Sequence, residues 1–270
     1  EWALVQYLAA EFLRTVVRHR GPRSGDPYRE TPKFELHRIE QIFTPCLQEK
    51  YLAEVESIAK QCRGRVAPLQ VEACRVQSLH GINVNEFLLL HGAPSKLIQR
   101  LQENGLDHRY AGEHFGALFG QGSYFAVNSS KSDIYTEPNA MGERCVLVTR
   151  VCLGEAFVAN EPTPTRKRPP ERRNGRGPLN SIVAATRADG GCVEHTECVI
   201  FDRAQALPQF AIWYKHSLEC QCTHCVIVVH VIIRGFTYKF DVFASQTVST
   251  LTDQIGRLIP SNCGARLVAT

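Results

Sequence analysis

Residues 1–20 carry apolar side chains at three- and four-residue spacing, the period of one face of an α-helix. The apolar positions are Trp2, Val5, Leu8, Phe12 and Val16. Basic residues and the dipeptide Gly21-Pro22 follow, which is a typical helix end. We predict an amphipathic helix that packs on the rest of the protein, with a partner-binding helix as the alternative, and then a linker to residue 32.

Short apolar runs bounded by turn residues predict strands through the middle of the chain. These runs are 34–42, 87–90, 124–127, 145–151, 181–185 and 198–201. A helix is predicted to begin at Thr44-Pro45, with Tyr51, Val55 and Ile58 on one face. A second helix is predicted over 95–102, and a polar, serine-rich segment runs to residue 135.

The pattern changes after residue 214. Two strand-like runs, 226–233 and 236–243, are joined by Arg234-Gly235. Ser245 can cap a helix that carries Leu251 and Ile255, and 265–269 is a final strand-like run. The order is β-hairpin, helix, strand.

Composition limits the class of protein. Apolar residues make up 44% of the 270, enough for a sizeable core, and no apolar run approaches the length of a membrane-spanning helix. Several of the 11 cysteines lie in apolar runs, so we expect reduced thiols and an intracellular protein, nuclear or cytoplasmic. Because the chain begins at Glu1, we expect it to be part of a longer protein.

The net charge of +4 is concentrated in one stretch, 163–176, which has six basic residues and one acid. The remainder is close to neutral, so no general nucleic-acid-binding surface is indicated. The stretch separates two predicted strands, so we expect it to be a long exposed loop or insertion. It could be a nuclear localisation signal, an acidic-partner or acceptor-recognition patch, or a solvated insertion.

The glycines at 116, 120 and 122 first suggest a dinucleotide-binding loop. Their spacing is not GxGxxG, and an extended segment follows them where a phosphate-binding helix would be needed. A Rossmann site is therefore disfavoured.

Four motifs occur in order along the chain. They are His91-Gly92, GSYFA at 122–126, SKSDIY at 130–135 and TECVIF at 196–201. Taken with the entry segment KFELHRIEQIF at 33–43, this series resembles the catalytic domain of the poly(ADP-ribose) polymerase family, over residues 33–214. The resemblance implies the ADP-ribosyltransferase fold, an α+β arrangement of two packed mixed β-sheets with flanking helices, and NAD+ as co-substrate.

The resemblance also implies residue roles. His91, Tyr124 and Glu197 match the family's catalytic triad, with His91 on the adenine-side ribose and Glu197 on the nicotinamide-side ribose. The remaining matches assign NAD+ binding to Gly92 and Ser132 at the carboxamide, Tyr135 stacked on the nicotinamide ring, Tyr124 lining the pocket, and Lys131.

The chemistry is consistent with these residue types. Cleavage of the nicotinamide–ribose bond leaves an electron-poor ribose, which a fixed carboxylate stabilises more in the transition state than in the ground state. Aromatic faces hold a flat pyridinium ring by stacking and cation–π attraction.

Two departures from the family pattern bear on the expected metal content and on activation by DNA. The segment 136–143 has neither Cys nor His, so the zinc position found there in some family members is missing. Only a short segment precedes the motifs, which leaves no room for the helical regulatory domain of DNA-damage-responsive members, and we expect no activation by DNA.

His216, Cys220, Cys222, His224 and Cys225 form a dense group of donors. Zinc needs four ligands at tetrahedral reach, and Cys-x-Cys-x2-Cys is looser than paired CxxC knuckles. The sequence therefore favours a reduced linker over a zinc site, and we expect no metal.

The last 45 residues resemble ubiquitin in the order hairpin, helix, strand, but stop before its remaining strands. We predict an N-terminal helix and linker (1–32), the catalytic domain (33–215), a linker (216–225) and a partial ubiquitin-like β-grasp segment (226–270). An unrelated αβ appendage is the alternative.

We interpret the chain as an NAD+-dependent protein ADP-ribosyltransferase, with no membrane partner. The competing interpretation is a catalytically silent module that binds NAD+ or ADP-ribose and recruits ubiquitin-pathway partners through 226–270. The sequence does not distinguish mono- from poly-ADP-ribosylation, or identify the acceptor.

Overall fold

The computed structural model describes residues 2–18, 30–63, 66–76, 83–107, 118–173, 175–222, 225–233, 236–243 and 245–258. The chain divides into two units. The first comprises Glu1–Val17 and Leu36–Lys215, and the second comprises Arg18–Glu35 and His216–Thr270. The boundaries predicted from the sequence at 32, 215 and 225 stay predictions.

Eight strands form one mixed sheet in the order β1-β8-β4-β2-β3-β7-β6-β5. Strands β5 and β6 pair in parallel, whereas β2–β4, β2–β3, β3–β7, β4–β8 and β6–β7 pair antiparallel. The strands are β1 (Phe34–Gln41), β2 (Glu86–Gly92), β3 (Ser123–Ala126), β4 (Arg144–Cys152), β5 (Ala156–Ala159), β6 (Ser181–Ala184), β7 (Glu197–Ile200) and β8 (Ala206–His216).

The predicted α+β class is confirmed, but hydrogen bonds join the eight strands where two separate sheets were expected. Strand β2 pairs with β4 along its whole length, yet it shares only the position Leu90↔Ala126 with β3. The sheet therefore consists of two halves, β1-β8-β4-β2 and β3-β7-β6-β5, joined through one paired position. The motif residues lie at this junction.

The apolar pattern missed two strands, β5 and β8. Strand β8 contains Pro208, which lacks the backbone donor of a sheet ladder. The register between β4 and β8 shifts between Val148 and Thr149, opposite this proline, so the strand accommodates Pro208 at a bulge. Strand β5 has only four residues, AFVA, which is too short for a clear alternation.

In the described part of the chain, four α-helices accompany the sheet: α1 (Trp2–Arg14), α2 (Pro45–Gln61), α3 (Ser95–Asn104) and α4 (Ser129–Asp133). Helix α1 buries Leu8 and Phe12, which agrees with the packing interpretation. Helix α2 buries Tyr51, Val55 and Ile58, the face predicted from the sequence. Within the described residues, no helix combines the length and apolar composition needed to cross a bilayer.

The second unit contains a hairpin and a helix. Strands β9 (Val226–Ile233) and β10 (Phe236–Phe243) pair antiparallel, and α5 (Val248–Leu258) follows. Val231, Val242, Leu251 and Ile255 form a small buried cluster. The predicted hairpin and helix are confirmed, the run 265–269 lies outside the described residues, and the resemblance to ubiquitin stays a prediction.

Arg172 anchors the basic stretch 163–176 to the rest of the protein. Arg172 is only 6% exposed, and its guanidinium donates to the Glu155 carboxylate (2.7 Å), the Asn180 side-chain oxygen (2.8 Å) and the Pro178 carbonyl. Arg172 therefore has a structural role, and the Arg166 carbonyl accepts from the backbone N–H of Gln121 at 2.8 Å. The other four basic residues are exposed: Lys167, Arg168, Arg173 and Arg176. The three interpretations of the exposed part stay open.

Candidate active site

His91 lies where the two halves of the sheet meet. The backbone pairing between β2 and β3 ends at Leu90↔Ala126, and the next link is made by the imidazole, whose Nδ1 donates to the carbonyl oxygen of Tyr124 at 2.8 Å. A carbonyl can only accept, so Nδ1 carries the proton and Nε2 of the neutral ring is an acceptor. Burial lowers the pKa of His91, which favours this neutral form. His91 can therefore accept a hydrogen bond from a hydroxyl such as that of a ribose.

The hydroxyl of Tyr124 is held on two sides. It accepts from the backbone N–H of Phe119 at 2.9 Å and donates to the carbonyl oxygen of Gly120 at 2.8 Å. Burial, with a smaller contribution from the charge of Glu197, raises the pKa of Tyr124 to about 12. The phenol therefore stays protonated at neutral pH, and its hydroxyl is held in place.

Gly120 shapes the loop that holds this tyrosine. Its φ is +108°, and a Cβ there would lie 2.6 Å from the carbonyl oxygen of Arg166. Only glycine adopts this conformation without strain or a clash. The turn before β3 thus explains the glycine at 120, whereas Gly116 lies outside the described residues.

Gly92 and Ser132 meet although they lie in different motifs. A Cβ on Gly92 would collide with the carbonyl group of Ser132, so the two backbones approach as closely as only glycine permits. Ser132 is 2% exposed, and its hydroxyl has no hydrogen-bond partner among the described residues. A buried hydroxyl without a partner is costly, which suggests that a ligand completes it.

Helix α4, which carries Ser132, lies in the segment that the sequence marks only as polar and serine-rich. Distant groups bind its side chains at Ser130 and Asp133 and its backbone at Ser129. The hydroxyl of Tyr214 donates to the Asp133 carboxylate at 2.7 Å, and the Thr15 hydroxyl accepts from the backbone N–H of Ser129 at 3.1 Å. The backbone N–H of Val17 donates to the Ser130 hydroxyl at 3.0 Å. Strand β8 and the end of α1 therefore fix the segment.

Glu197, Lys131 and Tyr135 form a charged cluster beside this segment. The Lys131 ammonium lies 2.8 Å from a carboxylate oxygen of Glu197, and the two side chains are 23% and 7% exposed. Burial alone would lower the pKa of Lys131, but the charge of Glu197 and hydrogen bonds to Glu197 and Tyr135 outweigh it, and the pKa is raised. Burial raises the pKa of Tyr135, whose side chain is 42% exposed.

Glu197 is fixed by the sheet. It begins β7 and pairs with Ala126 on β3 and with Ala184 on β6, so its backbone is held on both sides. Ala126 is also the one residue of β3 that pairs with β2. The carboxylate is therefore positioned at the same junction of the two half-sheets as His91.

The structure thus brings together Gly92 with Ser132, His91 with Tyr124, and Lys131 with Glu197. Tyr124 and Tyr135 are within electrostatic reach of Glu197. The sequence pattern did not indicate the pair Asp133 and Tyr214, which positions α4. The available signal was an aspartate, Asp133, inside a serine-rich segment. Its partner Tyr214 lies on β8, a strand that was not predicted.

A second buried ionic group stabilises the strand that carries His91. Glu86, at the start of β2, accepts hydrogen bonds from the Tyr51 hydroxyl (2.6 Å) and the Arg150 guanidinium (2.9 Å). Burial, followed by the charge of Glu86, raises the pKa of Tyr51 well above its usual value. Helix α2 and strands β2 and β4 are therefore tied together, which holds the motif strand in place.

Comparison with known proteins identifies the family. Residues 24–216 match the description "Poly(ADP-ribose) polymerase catalytic domain". The chain is 28% identical over 189 residues to protein mono-ADP-ribosyltransferase PARP10 of Mus musculus, covering 69% of the chain and 17% of that protein. It is 27% identical over 185 residues to protein mono-ADP-ribosyltransferase PARP14 of Homo sapiens, covering 67% of the chain and 9% of that protein.

A third relative, protein mono-ADP-ribosyltransferase PARP12 of Mus musculus, is 26% identical over 195 residues, covering 72% of the chain and 26% of that protein. The chain thus corresponds to a minor part of each of these relatives. The matched region contains the half-sheet junction and all the motif residues described above. The chain belongs to the family of poly(ADP-ribose) polymerase catalytic domains.

Proposed function

We propose that this chain is an NAD+-dependent protein ADP-ribosyltransferase. The observation that carries the proposal is the buried Ser132 hydroxyl, which has no partner among the described residues and lies against the backbone of Gly92. A carboxamide has both an acceptor oxygen and donor hydrogens, so it can bond to this hydroxyl and to a neighbouring backbone. In this reading the nicotinamide end of NAD+ completes the site.

Aromatic and charged groups support the same orientation of NAD+ in the site. Tyr135 is partly exposed beside Lys131 and can offer a ring face to the pyridinium. His91 offers an acceptor nitrogen for a hydroxyl of the adenine-side ribose. Glu197 would accept from a hydroxyl of the nicotinamide-side ribose, with Lys131 as its partner in the absence of substrate.

The reaction follows from this arrangement. The bond between the ribose carbon and the nicotinamide nitrogen breaks, and its electron pair leaves with nicotinamide, which becomes neutral. The carboxylate of Glu197 stabilises the positive charge that develops on the ribose. A nucleophilic group of an acceptor protein then bonds to the same carbon, and its proton passes to Glu197 or to water.

The number of ADP-ribose units transferred is a separate question. The relatives PARP10, PARP12 and PARP14 are named mono-ADP-ribosyltransferases. We propose protein acceptors for this chain also, in a reducing intracellular compartment, because the described cysteines are free thiols. A role for 226–270 with ubiquitin-pathway partners rests on the sequence resemblance alone.

Labelled NAD+ tests the activity directly. The purified chain is incubated with NAD+ labelled in the adenosine half, and the products are separated by size. One shifted band indicates mono-transfer, a ladder indicates polymer, and no protein-bound label refutes the proposal. Glu161→Gln, at an exposed position outside the site, is the matched control for substitution of a carboxylate.

A binding assay tests the pocket separately. Benzamide, which carries the carboxamide of nicotinamide, should raise the melting temperature because it binds the folded state; saturation at 100 times Kd corresponds to about 2.7 kcal/mol. Ser132→Ala should reduce this shift while leaving the melting temperature without benzamide nearly unchanged, because no hydrogen bond within the described protein is lost. An equal shift in both proteins would contradict the assignment of Ser132.

A further inference from the structure

A second cluster of reactive side chains lies in the second unit, outside the proposed active site. One atom from each of His216, Cys220, Cys222 and Cys225 lies within 4.8 Å of the others. The His216 Nδ1 is 3.0 Å from the Cys225 sulfur and 3.8 Å from the Cys222 sulfur. The Cys222 sulfur is 3.2 Å from that of Cys220 and 3.5 Å from that of Cys225.

These separations fit a tetrahedral metal centre. With zinc–sulfur bonds of about 2.3 Å and zinc–nitrogen bonds of about 2.0–2.1 Å, ligand sulfurs lie about 3.8 Å apart and a nitrogen lies about 3.6 Å from a sulfur. The two sulfur–sulfur distances above are shorter than this value, and the two nitrogen–sulfur distances fall on either side of theirs; each of the four differs by no more than about 0.6 Å. Spacing along the chain alone disfavoured zinc, but the fold brings the four atoms to one point.

A disulfide explains the cluster less well. The closest sulfurs are 3.2 Å apart, well beyond the bond length of about 2.05 Å. A disulfide would use two of the three thiols and leave the third thiol and the imidazole unexplained. Three sulfurs and one nitrogen are instead a complete ligand set of the Cys3His type.

The surrounding backbone is arranged to hold these ligands. His216 ends β8, and two turns follow, in which Cys220 N–H donates to the Ser217 carbonyl (2.9 Å) and Cys225 N–H donates to the Cys222 carbonyl (3.0 Å). The N–H of Lys33 donates to the Cys220 sulfur at 3.3 Å, which favours a thiolate at this atom.

The environment also orients the imidazole and excludes solvent. The ring of Phe34 stacks on His216, with centroids 5.5 Å apart and an interplanar angle of 23°. Cys220 and Cys222 are 0% and 3% exposed. Two turns, a backbone N–H···S bond and a stacked ring are more than a solvated linker needs.

We propose that His216, Cys220, Cys222 and Cys225 bind one zinc ion as a structural site. Four protein ligands fill a tetrahedral zinc ion and leave no position for a substrate, so the site is not catalytic. Each thiol that binds gives up its proton to solvent, and no oxidation takes place. The ion would hold His216, the last residue of β8, together with the three cysteines that precede β9, all within the second unit.

Metal analysis of the full chain tests this inference. Protein purified without chelator and under reducing conditions, or reconstituted with zinc alone, should contain about one zinc per chain. Cys220→Ser and Cys225→Ser should reduce this ratio to near zero, while Cys46→Ser, at an exposed thiol outside the cluster, should retain it. Absence of zinc after reconstitution would overturn the proposal, as would full retention in both cluster variants.

Cobalt substitution tests the ligand set in the unmodified chain, so the result does not depend on whether a cysteine variant folds. Cobalt bound to the unmodified chain should show the strong visible bands of tetrahedral coordination and the near-ultraviolet charge-transfer bands of cobalt–thiolate bonds. An octahedral spectrum without thiolate bands would reject the ligand set. A loss of two hydrogens in the intact mass under non-reducing conditions, mapped to two of these cysteines in freshly isolated protein, would identify a disulfide and also reject it.

Discussion

Glu197→Gln separates two effects of one carboxylate: its place in the ion pair with Lys131 and its action on the ribose. The variant keeps the shape of the side chain and removes its charge. Loss of one preorganised electrostatic partner lowers the rate by about 100- to 1000-fold, equivalent to about 2.7 to 4.1 kcal/mol. NAD+ binding should weaken much less, because the contacts proposed for Gly92, Ser132 and Tyr135 remain.

The effect on stability follows from the burial of the pair. Removing one partner of a fully buried ion pair costs about 3–5 kcal/mol, but Lys131 is 23% exposed and the amide oxygen can still accept one hydrogen bond. We expect about 1–2 kcal/mol, and a melting temperature lower by about 2–4 °C for each kcal/mol. The protein therefore stays folded at the assay temperature while transfer collapses.

The assay combines labelled transfer, NAD+ binding and urea unfolding for four proteins: the parent, Glu197→Gln, Lys131→Met and the double variant. Lys131→Met breaks the same ion pair but keeps the carboxylate, so it should retain more transfer than Glu197→Gln. The two changes should be non-additive in stability by about 0.5–3 kcal/mol, because the side chains are in contact. Near-parental transfer by Glu197→Gln, or equal loss in both single variants, would refute the assignment of the carboxylate.

Three further perturbations have defined outcomes. Gly92→Ala should lower the free energy of unfolding by about 1–3 kcal/mol and abolish benzamide stabilisation, since a Cβ would collide with the Ser132 carbonyl; a normal benzamide shift would contradict this. Tyr214→Phe should cost about 1.5–3 kcal/mol in urea unfolding, because the buried Asp133 carboxylate loses a donor at 2.7 Å, and a neutral result would show that Asp133 is held otherwise. The free energy of unfolding should fall as the pH drops below 6.5, because burial lowers the pKa of His91 and the unfolded chain then binds a proton that the folded chain does not. Urea unfolding of the parent and of His91→Gln at about pH 7.5 and about pH 5.5 measures the contribution of His91 as the difference between their two pH dependences.

The sequence was sufficient to predict elements and site residues where they depend on local pattern. Helix α2 was predicted from its apolar face and the proline at its start, and the hairpin β9–β10 from two apolar runs around a short turn. The motif residues were found because their order along the chain is itself informative. Gly92 and Ser132 were expected to meet, and the structure brings their backbones into contact.

The sequence was insufficient where stability comes from distant contacts. Helix α4 has no apolar periodicity, because its buried side chains are polar. Thr15 binds the backbone N–H of Ser129 and Tyr214 binds the Asp133 carboxylate, and each partner lies more than 75 residues away along the chain. The approach of His216 to the three cysteines was not predicted for the same reason, since donor spacing along the chain does not reveal that the fold brings the four atoms together. Local propensity carries no information about such partners.

The two edges of the eight-stranded sheet have a consequence for association with other chains. Strand β1, at one edge, has four ionisable side chains among its eight residues, and β5, at the other, has only four residues. A foreign peptide extends a sheet best along a flat, apolar edge, and charge or shortness at an edge opposes this. A protein acceptor would therefore be recognised through side-chain contacts near the site, and not as an added strand.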